Sequence, residues 1–417
     1  MPATIHRAKF LLMRPERLLE NAAISVGVDG YILQVGTWNE VRSNAGIEAE
    51  ILDWGDAMLL PGLVNAHAHL ELTALHGQLT HFDSFTDWAL KLIRARREWS
   101  PKDYHTSLKN GALSALSSGT TLIGDITSSG YGWSVGDDSS SPSPRRVVFE
   151  ETLGLMPELA DSAMARIHAL FDRAESLPLQ THAISPHAPY STSGELYRKS
   201  AAFARNHNVP WTTHVAETPG ELEFFETGGG EFREFLLSLG AFPDDWIPPK
   251  IHPVVWLDEM KLLEPSSLLT HGNYLDDDAI ARMVRSRANA VYCPRSHAFF
   301  GHEHHPLRKL LDAGVNVALG TDSLASNDSL NMLDEMRFLY SHRRDIVPQE
   351  IFAAATASGA TALGFAERLG CLDRGYCADM AVLELPPSVK SERLLYRILE
   401  GAGQCRATII NGVVAAP

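Results

Sequence analysis

Over the first 58 residues, apolar and polar positions alternate in short runs broken by turn residues. AAISVGVDG ends in Asp29-Gly30, a hairpin signal, and YILQVG and AEILDWG repeat the texture. The far end of the chain matches it, with ADMAVLELP (378–386) and CRATIINGVVAAP (405–417), where Asn411-Gly412 marks another tight turn. Neither end is long enough for a core of its own. The pattern therefore predicts one small β-sandwich domain built from residues 1–58 and 366–417 together. From 59 to 365 the pattern becomes apolar run, polar loop and helical period, repeated. Eight runs read as strands: 62–69, 120–127, 146–154, 181–188, 209–217, 267–275, 289–297 and 315–323. Stretches such as FTDWALKLIRARREW and DSAMARIHALFDRAESL separate most of them. Eight such units across 59–365 predict a TIM-type (β/α)8 barrel. Two segments break the rhythm. Residues 128–145 are rich in Ser and Gly without a helical period, and read as a mobile loop on the active-site side. Residues 219–262, after the fifth strand, are partly helical and partly Pro-rich, either a lid or packing decoration.

Composition changes this picture little. The 417 residues are 45% hydrophobic and 21% charged, a globular balance with room for a large core. A net charge of -15 argues against a nucleic-acid surface. The four cysteines form no C-x-x-C and read as reduced thiols, which places the protein in the cytoplasm. The N-terminus has no apolar signal segment, and no stretch is long and apolar enough to span a membrane. A homodimer is the expectation if the chain assembles at all.

The chemistry lies in polar residues at strand ends. The strand within LLPGLVNAHAHLE ends in His67-Ala68-His69, whose two histidines at i and i+2 project to one side of a strand. Alone, H-x-H is a weak signal. Downstream, however, His187 ends the fourth strand, His214 and Glu217 the fifth, His271 the sixth and Asp322 the eighth. The C-terminal ends of barrel strands are where such a fold carries its site. His67, His69, His214 and Asp322 make three imidazoles and one carboxylate for a single divalent ion, with a position left for water. Such an ion lowers the pKa of water from about 15.7 towards 7. Asp322 can also accept the water proton, and Glu217, three residues after His214, suits a proton shuttle. His271 is placed to hydrogen-bond the attacking oxygen. His187, Arg295 and Glu71 are candidate substrate contacts, although Arg295 could equally pair with a loop and Glu71 could cap one. His302, His304 and His305 in GHEHHP form a tempting second cluster, but the run reads as an exposed loop ahead of Pro306. N/O ligands of this kind suit zinc, iron or manganese, and zinc is the first choice.

At these residues the chain resembles the amidohydrolase superfamily: PGLVNAHAHLE, SPHAPYS, HVAET, THGNYL, CPRSH and GTDSLASNDSLNMLDEM span nearly its whole length. It is most similar to the branch holding cytosine, guanine, S-adenosylhomocysteine and aminodeoxyfutalosine deaminases and triazine hydrolases. Two-metal members of the family use a bridging lysine or glutamate. Here no lysine ends the third or fourth strand, and nothing marks Glu150 or Glu151 as a bridge, so the resemblance implies one metal. It also implies hydrolytic loss of ammonia from an amino-substituted aromatic ring, with Glu217 protonating a ring nitrogen. The SPHAPYS segment and the insertion after HVAET point to a purine-nucleoside-like substrate, aminodeoxyfutalosine being one specific candidate. Two alternatives stand: a chlorohydrolase or amidohydrolase acting on another ring or an amide, and a non-catalytic scaffold. His297 stands where many relatives have Asn, a departure that bears on substrate recognition.

Overall fold

The computed structural model describes residues 2–44, 49–133, 143–174 and 177–416. The strands, in chain order, are β1 (Pro2–Arg14), β2 (Arg17–Gly27), β3 (Ile32–Thr37), β4 (Glu50–Asp53), β5 (Ala57–Pro61), β6 (Leu63–Ala68), β7 (Thr120–Thr127), β8 (Arg145–Thr152), β9 (Gln180–Pro186), β10 (Trp211–Val215), β11 (Ser267–His271), β12 (Asn289–Tyr292), β13 (Val317–Leu319), β14 (Met380–Glu384), β15 (Gln404–Ile410) and β16 (Val413–Ala416). They form two sheets.

The first sheet is drawn from both ends of the chain, in the order β16-β15-β14-β5-β1-β2-β3, with β4 also on β1. Its core gathers Leu11, Ile24, Ile32, Leu59, Met380 and Ile409, so strands from both halves of the sheet face one apolar centre. β5 pairs with β14 through Pro61. The chain thus changes sheet at Gly62, three residues after the position suggested by the pattern alone. A buried ion pair ties this sheet to the second: Arg145 at the start of β8 donates to Asp379 through Nε at 2.7 Å and Nη2 at 3.1 Å.

The second sheet runs β6 to β13 in sequence order, every neighbouring pair parallel. Strands β6, β7, β8, β10, β11, β12 and β13 are buried throughout. That accounts for continuous apolar runs in place of alternation. β13 returns to β6 and closes the barrel through three contacts. The Asp322 amide donates to the His67 carbonyl at 3.0 Å. The Asn65 side chain donates to Thr321 Oγ1 at 2.7 Å and accepts from the Thr321 amide at 3.0 Å. Gly320 makes the approach possible, because a Cβ there would lie 2.7 Å from the His67 carbonyl oxygen and 2.9 Å from its Cβ.

Of the segment 128–145, residues 134–142 lie outside the described residues. The part before them is packed: Trp133 is buried and its indole N–H donates to the Val148 carbonyl at 2.9 Å. The insertion after β10 holds helices Pro219–Thr227, Gly230–Ser238 and Pro253–Glu259. Its second helix is pinned to the helix Phe85–Arg96 by Thr86 Oγ1 donating to Glu231 at 2.9 Å. Among the described residues no helix is long and apolar enough to cross a membrane.

Substituting Gly320→Ala should force the closing strands apart and cost about 1–3 kcal/mol, as overpacking does. A thermal melt checks this, and an unchanged midpoint would show slack in the seam.

Candidate active site

The closure puts His67 and Asp322 side by side, and the other strand ends bring the remaining groups to them. His69 Nε2 lies 3.6 Å and His67 Nε2 3.7 Å from the same oxygen, Asp322 Oδ1. His214 Nε2 is 3.4 Å from His69 Nε2. Four ligand atoms bonded tetrahedrally to an ion at about 2.0–2.1 Å stand about 3.4 Å apart. The three separations above lie close to that figure; ligand atoms of His67, His69 and Asp322 stand within 4.8 Å of one another, as do those of His67, His214 and His271, so His67 joins the two sets. The donor chemistry fits too: His67 Nε2 is fully buried and has no hydrogen-bond partner among the described residues, an orphan that a shared cation would satisfy.

Two of these side chains are aimed by neighbours. The Nδ1–H of His214 donates to the His187 carbonyl at 3.0 Å, which leaves the Nε2 lone pair for the cluster. The Ser296 and Ser326 hydroxyls donate to Asp322 Oδ2 at 2.6 and 2.8 Å, leaving Oδ1 for the imidazoles. Asp322 and His271 both have left-handed backbones, with φ of 60° and 69°. Neither is glycine, so both positions carry strain of the kind found at functional strand ends.

Electrostatics favour neutral rings around one carboxylate. His69 is pushed down to about 3, first by burial and then by His67. Burial, and then the other imidazoles, hold His214 well below the usual range. Burial would raise Asp322, but the imidazoles of His67, His69 and His271 around it hold it well below the ordinary carboxylate value. Neutral imidazole and ionised carboxylate are the forms that bind a metal. Glu217 is driven the opposite way, well above its ordinary value, by burial first and then by Asp322 and Glu221. Its Oε1 is 3.4 Å from His271 Nε2. Its backbone is clamped, the amide donating to Glu221 at 2.9 Å and the carbonyl accepting from Asn273 at 3.0 Å.

The cluster opens into a cavity of about 470 Å³. Leu72, Phe85, Trp88 and Leu92 form one wall, and Phe235 and Leu239 of the insertion form another, so that segment lines the cavity. His69, His187, His214, Glu217, His271 and Asp322 all reach it.

Two sequence-based substrate candidates do not line it. Glu71 is buried behind the wall, where it accepts from Arg96 at 2.7 Å, Ser128 Oγ at 3.0 Å and Thr127 at 2.8 Å. Arg96, on the next helix, is the residue that lines the cavity. Arg295 follows Pro294 at the start of a short helix and pairs with Asp328 at 2.9 Å. The reading of GHEHHP as an exposed loop is also corrected: His304 is exposed, but His305 is buried, stacks on Tyr292 at 3.7 Å and donates to the His271 carbonyl at 2.9 Å. It supports His271 from behind. Ser296, Ser326 and Arg96 have no signature in the sequence that marks them for the site. Ser296 and Ser326 sit inside motifs already noted, but a serine hydroxyl has no spacing signature.

The chain is similar to known proteins over nearly its whole length. The model of the Amidohydrolase family matches residues 58–415. A 5-methylthioadenosine/S-adenosylhomocysteine deaminase from Pyrococcus furiosus is 30% identical, covering 91% of this chain and 84% of the relative. An aminodeoxyfutalosine deaminase from Nitratiruptor is 27% identical, covering 93% of each. The crystal structure of an adenosine deaminase from Xanthomonas campestris with bound zinc superposes with a TM-score of 0.83, at 23% identity, over 100% of this chain and 93% of that one. By family match, relatives and fold together, the chain belongs to the amidohydrolase family.

Proposed function

We propose that the protein is a metal-dependent hydrolytic deaminase that replaces the exocyclic amine of a purine-nucleoside-like ring with oxygen from water and releases ammonia. The observation that carries the reading is Glu217: a buried carboxyl whose hold on its proton is strengthened by burial and by Asp322, beside the imidazole–carboxylate cluster and lining the cavity. An amide or ester hydrolase needs a group for the leaving atom. An aromatic ring needs its nitrogen protonated before its carbon accepts a nucleophile, and a neutral buried acid does that. The curated relatives named above, deaminases of adenosine-type nucleosides, support the same choice.

His67, His69 and His214, through their Nε2 atoms, and Asp322, through Oδ1, would hold the ion. Their number and spacing suit zinc, the metal in the Xanthomonas campestris structure. When bound, the ion supplies Lewis acidity that makes water a nucleophile near neutral pH. The chain does the rest. Asp322 takes a proton from water, with Ser296 and Ser326 holding its other oxygen. His271 orients the attacking oxygen, its ring backed by His305. Glu217 gives its proton to the ring nitrogen, its backbone clamped by the side chains of Glu221 and Asn273; Asp322 passes the proton it took from water to the amine, which leaves as ammonia, and the remaining hydroxyl proton returns to Glu217. The apolar walls exclude bulk water from the ring. The four cysteines are unpaired, in keeping with a reducing cytoplasm.

Ammonia release over aminopurines, adenosine derivatives, pterins and pyrimidines tests the reading. We expect turnover confined to adenosine-type substrates; chloride or amine release from triazines with no ammonia from this panel would replace it with the hydrolase alternative. Glu217→Gln should keep its metal and lose about 10²–10⁴-fold in kcat, the usual share of a general acid. Normal turnover would remove Glu217 from the proton path. Ser296→Ala should lower metal affinity about 10–100-fold by freeing Asp322 to turn. Competition with a chelator measures it, and wild-type affinity would show that the hydroxyl does not aim the carboxylate.

A further inference from the structure

Four buried carboxyls crowd the region where β7, β8 and the turn after β6 meet, and three already have a cation. Glu71 holds Arg96 at 2.7 Å, Asp125 holds Arg146 at 3.0 Å and Glu150 holds Arg166 at 2.6 Å. Glu151 is the fourth. Its side chain is 10% exposed and lines the cavity, and its Oε1 has no hydrogen-bond partner among the described residues. His187 Nε2 is 3.9 Å from Oε1, beyond hydrogen-bond reach. An unsatisfied buried carboxyl is costly, and one aimed into a cavity calls for a partner that arrives with the ligand. Burial, and then Glu71, push this carboxyl up to about 8.

His187 is polarised in a complementary way. The Ser191 hydroxyl gives its proton to the Ala188 carbonyl at 3.1 Å, so it accepts from His187 Nδ1–H at 2.6 Å. The Nε2 lone pair is thereby left facing the cavity beside Glu151. Atoms of Glu151, His187 and His214 lie within 4.8 Å of one another, a spacing that could also suggest a second ion. That reading fails at His214. Its Nδ1 is taken by the His187 carbonyl, and its Nε2 already faces His69 at 3.4 Å.

We propose that Glu151, with the Nε2 edge of His187 beside it, is the receptor for a sugar hydroxyl of the nucleoside substrate. A hydroxyl both donates and accepts, so it bonds the carboxyl in either protonation state and can reach the imidazole lone pair as well. A cationic substituent would meet Arg96 on the same cavity wall. The proposal rests on the deaminase reading above. It makes Glu151 a specificity residue: it selects nucleosides over free bases and reads the sugar.

The test compares kcat/KM for adenosine, 2′-deoxyadenosine and 3′-deoxyadenosine in the wild type, Glu151→Ala and Glu151→Gln, with metal content measured on each sample. In the wild type, loss of the recognised hydroxyl should cost about tenfold or more, the worth of a hydrogen bond to a charged group. In Glu151→Ala, adenosine should lose that factor, chiefly in KM, and the preference among the three substrates should flatten towards one. Glu151→Gln, which keeps an acceptor and a donor, should recover part of it. Metal content should stay at one equivalent throughout. Equal loss on all three substrates, or loss of metal, would overturn the proposal and assign Glu151 to the catalytic cluster. If the wild type releases ammonia from none of the three, the purine-nucleoside reading itself fails and the receptor falls with it.

Discussion

The hydrogen bond from the Asp322 amide to the His67 carbonyl is the contact on which the site depends. It joins the last barrel strand to the first, and its two residues are also the carboxylate and an imidazole of the cluster. A barrel open at this point would separate groups 255 positions apart in the chain, and nothing else brings them together as directly. Gly320 and the Asn65–Thr321 pair sit one step further down the same seam. Closure of the fold and assembly of the site are therefore one event.

The site is also a store of unfavourable burial. His67 Nε2 is sealed from water without a hydrogen-bond partner among the described residues, at a cost of about 1–3 kcal/mol for a group of this kind. His214 and His271 are held neutral, and Asp322 ionised, in surroundings that oppose charge. An ion shared among these groups converts the penalty into binding energy, since metal affinity in a preformed site adds to the stability of the fold. Glu217 is kept apart from this balance. Its raised proton affinity comes from the same burial and from the negative charge of Asp322, so the cluster itself tunes its acid.

Much of this was legible in the sequence, for identifiable reasons. Parallel strands buried on both faces leave continuous apolar runs, and a histidine or aspartate ending such a run stands out, as His67, His69, His214, His271 and Asp322 do; the fold brings these side chains close to one another. The sheet built from both chain ends was visible in its alternation and its tight turns. What the sequence concealed was partnership. Glu71 and Arg295 had the chemistry to touch a substrate, but each is taken by an opposite charge, Arg96 and Asp328, from another element. His305 follows two other histidines in a loop, yet its ring is buried against Tyr292. Ser296 and Ser326 act by direction alone, which no spacing rule reports. Glu151 carries no signature in the sequence, because its significance lies in the hydrogen bond its Oε1 lacks among the described residues.

Diffraction from crystals of the metal-replete enzyme, recorded at the absorption edge of the metal, tests the central claim most directly. The account predicts one anomalous peak about 2.0–2.2 Å from His67 Nε2, His69 Nε2, His214 Nε2 and Asp322 Oδ1 together. A peak held instead by Glu151 and His187, or none among these four atoms, would contradict it.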